Sequence, residues 1–125
     1  MSFYEGLGGD TGVRALVDRF YDAMDTRPDC AAIRQMHPPD LTESRQKLYE
    51  FLSGWLGGPQ LYLERRGHPR LRARHLPFPV DEHARDQWMA CIHDALTTSD
   101  LDDVQRFQLY KALLRVADHM RNRSG

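Results

Sequence analysis

Four stretches of this sequence repeat apolar residues every three or four positions, none alternates them every second position, and all seven prolines fall outside those stretches. Proline lacks a backbone donor and blocks a helix interior, so this pattern predicts helices set apart by proline-marked breaks. The first stripe is Val13, Leu16, Val17, Phe20, Tyr21 and Met24, with Asp10 or Thr11 expected as its cap and Pro28 as its stop. Residues 31–36 read as a short connecting helix, ended by Pro38-Pro39. Asp40 followed by Glu43 resembles a capping box for the second stripe, Ser44, Leu48, Phe51, Leu52, Trp55 and Leu56, which Gly57-Gly58-Pro59 terminates. A third stripe carries Trp88, Cys91, Ile92, Ala95 and Leu96. The last carries Val104, Phe107, Leu114, Ala117 and Met120, with Tyr110 and Leu113 beside it. The expected fold class is all-α.

A length of 125 residues fits one domain, 1–125, because either half alone would bury too little apolar surface. The formal net charge of −1 provides no global field toward nucleic acid or an anionic membrane. No apolar run approaches the roughly 18 residues that a membrane span needs, and the first residues lack the pattern of a signal peptide. A cytoplasmic location is expected. Cys30 and Cys91 form no CxxC pair, so neither a zinc site nor a disulfide scaffold is signalled, and both are expected as small buried residues.

Residues 60–80 do not fit the helical pattern. They are rich in Arg, Gly, His and Pro, too irregular for a long helix and too long for a simple connection, which marks them as functional. Five arginines crowd into residues 65–74, whereas the whole chain has only two lysines, Lys47 and Lys111. There are six histidines and no HExxH or Cys/His cluster, so a multi-ligand zinc or iron site is not supported. A haem needs only one imidazole from the protein, since the porphyrin supplies four nitrogens. His75 is the best placed. Arg70, Arg72 and Arg74 precede it and Leu76, Pro77, Phe78 and Pro79 follow it, which suits a flat apolar ligand with an anionic edge.

The run Gly57-Gly58-Pro59, Tyr62, Arg66-Gly67-His68-Pro69-Arg70-Leu71-Arg72, Arg74-His75 and Pro77-Phe78 resembles the second group of truncated haemoglobins. Phe3-Tyr4, Gly8-Gly9, Arg19-Phe20-Tyr21 and Arg85-Asp86-Gln87-Trp88 agree with it, in the family's order and over nearly the whole chain. The resemblance implies a shortened globin, a two-over-two helical sandwich enclosing haem b. It implies His75 as the proximal iron ligand, and Tyr21, His37, Trp88 and Ser44 on the distal side. Haem contacts are implied at Lys47, Leu48, Phe51, Tyr62, His68, Arg72, Phe78 and Val80. His37 stands where many relatives carry tyrosine or phenylalanine, and Lys47 offers a propionate a point charge without the arginine fork.

The implied ligands are O2, CO, NO or similar small molecules. Two or three neutral donors in a dry pocket, each contributing about 0.5–1.5 kcal/mol, slow gas release by roughly one to three decades. Slow release favours oxygen-linked redox chemistry (nitric oxide dioxygenation or peroxide reduction) or sensing over bulk transport, with an electron donor that the sequence does not identify. Two rival readings are a peroxidase-type haem enzyme and a haem-free helical module binding a partner or nucleic acid through residues 65–74. Near-neutral charge and the lack of a helix-turn-helix pattern oppose the second. Monomer and homodimer both remain open.

Overall fold

The apolar periodicities become helices in the computed structural model, which describes residues 2–124. α1 (Phe3–Gly6) leads into α2 (Gly9–Thr26), and a 3₁₀ turn (Pro28–Cys30) leads into α3 (Ala31–Gln35). There follow α4 (Thr42–Trp55), α5 (Leu61–Arg66), α6 (Leu71–His75), α7 (Glu82–Thr97) and α8 (Asp103–His119). Among the described residues there is no strand. The long helices form two antiparallel pairs, α2 with α4 and α7 with α8, and the pairs meet chiefly where α2 crosses α7.

Two expected caps are replaced by other devices. α2 starts on Gly8 in the left-handed region (φ 104°) rather than on Asp10 or Thr11. The α1–α2 corner is so tight that a Cβ on Gly12 would lie 1.8 Å from the Leu7 carbonyl oxygen, which only glycine avoids. α4 has Leu41 at its cap position, and Asp40 accepts the Thr42 N–H at 2.9 Å instead of closing a capping box with Glu43. The true capping box is on α8, between Asp102 and Gln105.

The stripe on α2 is buried as expected, from Val13 to Met24. On α8 the buried face is Leu109, Leu113 and Ala117, while Val104 and Phe107 stand 66% and 62% exposed. Two apolar stripes run side by side along that helix, and the fit against α7 selects the second. Residues 60–80 hold two short helices rather than an irregular loop, with Gly67 (φ 83°) and Arg70 (φ 46°) turning the chain between them.

α4 presents two apolar faces. Tyr49, Leu52 and Leu56 are buried in the core shared with α2, whereas Ser44, Leu48 and Phe51 are only half-buried and Trp55 is 36% exposed. The second set recurs at helical spacing, so it is a continuous stripe without a protein partner to cover it fully.

Candidate functional site

Phe20 and Tyr21, in the C-terminal half of α2, are 1% and 5% exposed. Phe20 packs edge-on against Tyr21 at 4.9 Å between ring centroids and against the tilted Trp88 ring at 5.0 Å. Tyr21 in turn meets the His37 ring edge-on at 5.9 Å. Residues from α2, α7 and the bend just after α3 thus form one aromatic row, in an arrangement favoured by ring quadrupoles.

The polar ends of this row are unusually free. Burial pushes the Tyr21 hydroxyl well above the usual tyrosine range, opposed only by the Arg45 guanidinium, and no hydrogen bond to it exists among the described residues. The Arg45 guanidinium lies 5.7 Å from the Tyr21 ring and is held by Asp18 and Asp22. The Trp88 indole N–H likewise has no partner among the described residues. Neither donor atom is sealed from its surroundings: the fully buried, unpartnered side-chain nitrogen or oxygen atoms among the described residues are Arg106 Nε and Arg121 Nε. The Tyr21 hydroxyl and the Trp88 indole N–H therefore open onto space in which a ligand can accept from them.

His37 is half-buried, with Nδ1 2.8 Å from the Ile33 carbonyl oxygen. Burial lowers its basicity; the Ile33 bond works against this, and Arg34 and His75 lower it further. His37 and His75 therefore lie within electrostatic reach of one another. At neutral pH the His37 ring is uncharged. Its Nδ1 donates to Ile33, which leaves Nε2 as an acceptor.

His75 is the last residue of α6 and is half-buried. Its Nδ1 lies 2.6 Å from the Leu71 carbonyl oxygen one helical turn earlier, so this nitrogen carries the proton and Nε2 keeps its lone pair. Leu76 and Phe78, just beyond it, are 53% and 40% exposed. Val80 and Tyr62 are buried, and Ser44, Leu48 and Phe51 lie on the half-covered face of α4.

The arginine-rich segment behaves differently from the expectation that its guanidinium groups stand ready for an anion. Arg65 and Arg66 pair with Glu50 at 3.0 and 2.5 Å. Arg72 donates to the carbonyl oxygens of His119 and Arg121 at 2.7 and 3.0 Å, closing the end of α8. Arg74 donates to Pro69, and only Arg70 lacks a side-chain hydrogen bond among the described residues. His68 accepts the Arg70 backbone N–H and lines a groove of about 680 Å³ between α6 and α8, together with Arg72 and Trp55. Lys47 is exposed and pairs with Glu43 at 3.7 Å.

Two residues that sequence reasoning passed over hold the segment in place. Glu50, 2% exposed, accepts from Arg65, Arg66 and Gln46. Burial alone would raise its pKa, but these bonds win and bring it from 4.5 down to about 2. Asn122, just after α8, donates from its amide to the carbonyl oxygens of His75 (3.1 Å) and Phe78 (3.0 Å) and accepts the Val80 N–H at 3.0 Å. A glutamate inside an apolar stripe, followed by an Arg-Arg pair, was a readable signal for the first. The second carried none.

An all-helical two-over-two sandwich, with one imidazole on a short exposed helix and an unpartnered hydroxyl in the core, is the layout of a globin. The pattern of the bacterial-like globin family matches residues 2–122. The group 2 truncated hemoglobin YjbI of Bacillus subtilis is 40% identical over 121 residues, covering 97% of this chain and 89% of that protein. The cold-adapted truncated hemoglobin of the Antarctic marine bacterium Pseudoalteromonas haloplanktis TAC125 superimposes with a TM-score of 0.95 at 43% identity, covering 98% of this chain and 99% of the other. A truncated oxygen-avid haemoglobin from Bacillus subtilis does so with a TM-score of 0.87 at 40% identity, over 98% and 100% of the two chains. The chain belongs to the bacterial-like globins, as a group II truncated haemoglobin. It is therefore a haem-binding protein whose ligands are small gases.

Proposed function

We propose that His75 is the proximal ligand of a haem b held between α4 and α6, and that Tyr21 and Trp88 donate hydrogen bonds to a diatomic gas on the opposite face. The residues present fit such a group. The half-covered Leu48, Phe51 and Trp55 and the exposed Leu76 and Phe78 offer apolar surface to a flat macrocycle, Ser44 lies on the same face of α4 toward the distal side, and the His75 Nε2 lone pair is free. When bound, the haem supplies an iron centre with one position open to a gas and with one-electron redox chemistry.

The observation that carries the distal half is the Tyr21 hydroxyl, on a ring 5% exposed, without a partner among the described residues. Its raised pKa keeps the proton on oxygen at any ordinary pH, so it serves as a donor. Trp88 can only donate. His37 presents an acceptor nitrogen, so it adds no third donor to the gas, and its edge-on ring contact bears on Tyr21 by packing. Lys47 stands exposed at the rim, where its ammonium can meet a haem propionate in exchange for Glu43.

Two neutral donors slow gas release by about one to two decades. Slow release fits the oxygen avidity of the Bacillus subtilis relative. It also fits oxygen-linked redox chemistry or sensing better than bulk transport. Tyr21→Phe and Trp88→Phe, singly and together, test this by stopped-flow oxygen dissociation. Each is expected to accelerate release by about 3- to 10-fold, and an unchanged rate in both contradicts the donor assignment.

A further inference from the structure

Cys30 and Cys91, 61 positions apart in the sequence, bring their sulfur atoms to 3.5 Å. Both are thiols, both are fully buried, and nothing in the gas site uses them. Cys30 closes the 3₁₀ turn before α3, and Cys91 lies in α7 one turn beyond Trp88. The Cys91 S–H donates to Cys30, whose own S–H points to the Gln87 carbonyl oxygen at 3.5 Å and the Asp29 carboxylate at 3.7 Å. The Asp29 side chain is 61% exposed, so the Cys30 proton has a hydrogen-bonded way out to water. Cys30 adjoins the exposed turn residues Pro28 and Asp29, whereas Cys91 lies inside α7, so Cys30 is the sulfur that a small oxidant meets first.

We propose that Cys30 and Cys91 are a disulfide-forming site, closed by a small hydroperoxide, that ties the turn before α3 to α7. The Cys30 sulfur attacks one peroxide oxygen, the O–O bond breaks, and a sulfenic acid and one water (or alcohol) result. The Cys91 sulfur then attacks Cys30, the S–O bond breaks and a second water leaves. In sum two S–H bonds are lost, one S–S bond forms, and the peroxide takes up two electrons and two protons. A small oxidant is required because both sulfurs are enclosed, and opening the three-residue turn at Pro28–Cys30 is the shortest way to reach them.

The bond has a route to the gas site, an extension that rests on the function proposed above. Gln87 accepts from Cys30 through its carbonyl and from the Ile33 N–H through its side chain at 3.2 Å. Trp88 follows Gln87 directly, and the Ile33 carbonyl holds His37. Shortening the sulfur separation from 3.5 Å to about 2.0 Å pulls α3 toward α7 between two of the pocket's polar groups.

The test treats the haem-loaded protein with hydrogen peroxide, then counts thiols after denaturation and maps peptides without reductant. The expected result is loss of both thiols, one intramolecular Cys30–Cys91 peptide pair reversed by dithiothreitol, and a melting temperature raised by roughly 10 °C. Cys30→Ser and Cys91→Ser keep the haem but form no reversible cross-link, which separates thiol chemistry from peroxide damage at the haem. Two unreacted thiols, or irreversible oxygen addition at either cysteine of the unmutated chain, overturn the proposal. Oxygen dissociation is measured before and after oxidation, with a change of about threefold or more expected. A cross-link that leaves this rate unaltered overturns the coupling to the pocket alone. The thiol count stands whether or not His75 proves to be the iron ligand.

Discussion

The two sides of the proposed gas site are held by different forces. The row of Trp88, Phe20, Tyr21 and His37 rests on helices whose apolar faces are buried in one continuous core. The segment carrying His75 has almost no buried residue of its own: α6 contributes none to the core and α5 only Tyr62. It is fastened by polar bonds to distant parts of the chain, with Glu50 gripping α5, and with Asn122 and the carbonyl oxygens of His119 and Arg121 (through Arg72) gripping α6. Apolar burial makes a stiff wall of fixed shape. Polar fastening holds a short helix in register while leaving its apolar side chains free for a large ligand.

This contrast predicts a graded response to substitution. Phe20→Ala, in the stiff wall, removes a 1% exposed ring that touches both Tyr21 and Trp88, and is expected to cost about 3–5 kcal/mol in denaturant unfolding. Asn122→Ala, on the fastened side, leaves the His75 and Phe78 carbonyl groups without their amide donor. It is expected to cost about 1–3 kcal/mol. The loss should appear first as faster amide exchange across residues 71–80, with α2 and α7 still protected. If exchange rises equally in α2, the two sides do not differ in the way described.

Acid separates the two regions more gently. Because the Glu50 pKa is depressed from 4.5 to about 2, its bonds stabilise the fold fully above 4.5 and are lost as pH falls toward about 2. Glu50→Gln should therefore flatten that part of the stability-versus-pH curve while changing little in the shape of the curve at neutral pH. An acid limb of the same slope in the variant would place the sensitivity elsewhere.

The same division explains what could be read from the sequence. Val13 to Met24 on α2 follows helical spacing, and burial obeys that spacing, so the wall that holds Tyr21 was legible. On α8 two adjacent stripes satisfy the same spacing, and only the packing against α7 chose Leu109 and Leu113 over Val104 and Phe107. The roles of the arginines were misleading for a related reason. A guanidinium in an irregular segment has the same appearance whether it awaits an anion or, like Arg72, closes the end of a helix 47 positions away. Asn122 was illegible because its partners are backbone atoms, which every residue has. Cys30 and Cys91 were expected to be buried and are, but their contact depends on how α3 meets α7.

The account rests on the free nitrogen of His75 binding iron from the fastened side. His75→Gly, purified and titrated with haemin, measures this directly through the ferrous and carbon-monoxide absorption spectra. The predicted result is loss of the five-coordinate histidine spectrum and its return when imidazole is added to fill the gap. A variant that keeps the unmutated spectrum without imidazole would contradict it and assign the iron to another side chain.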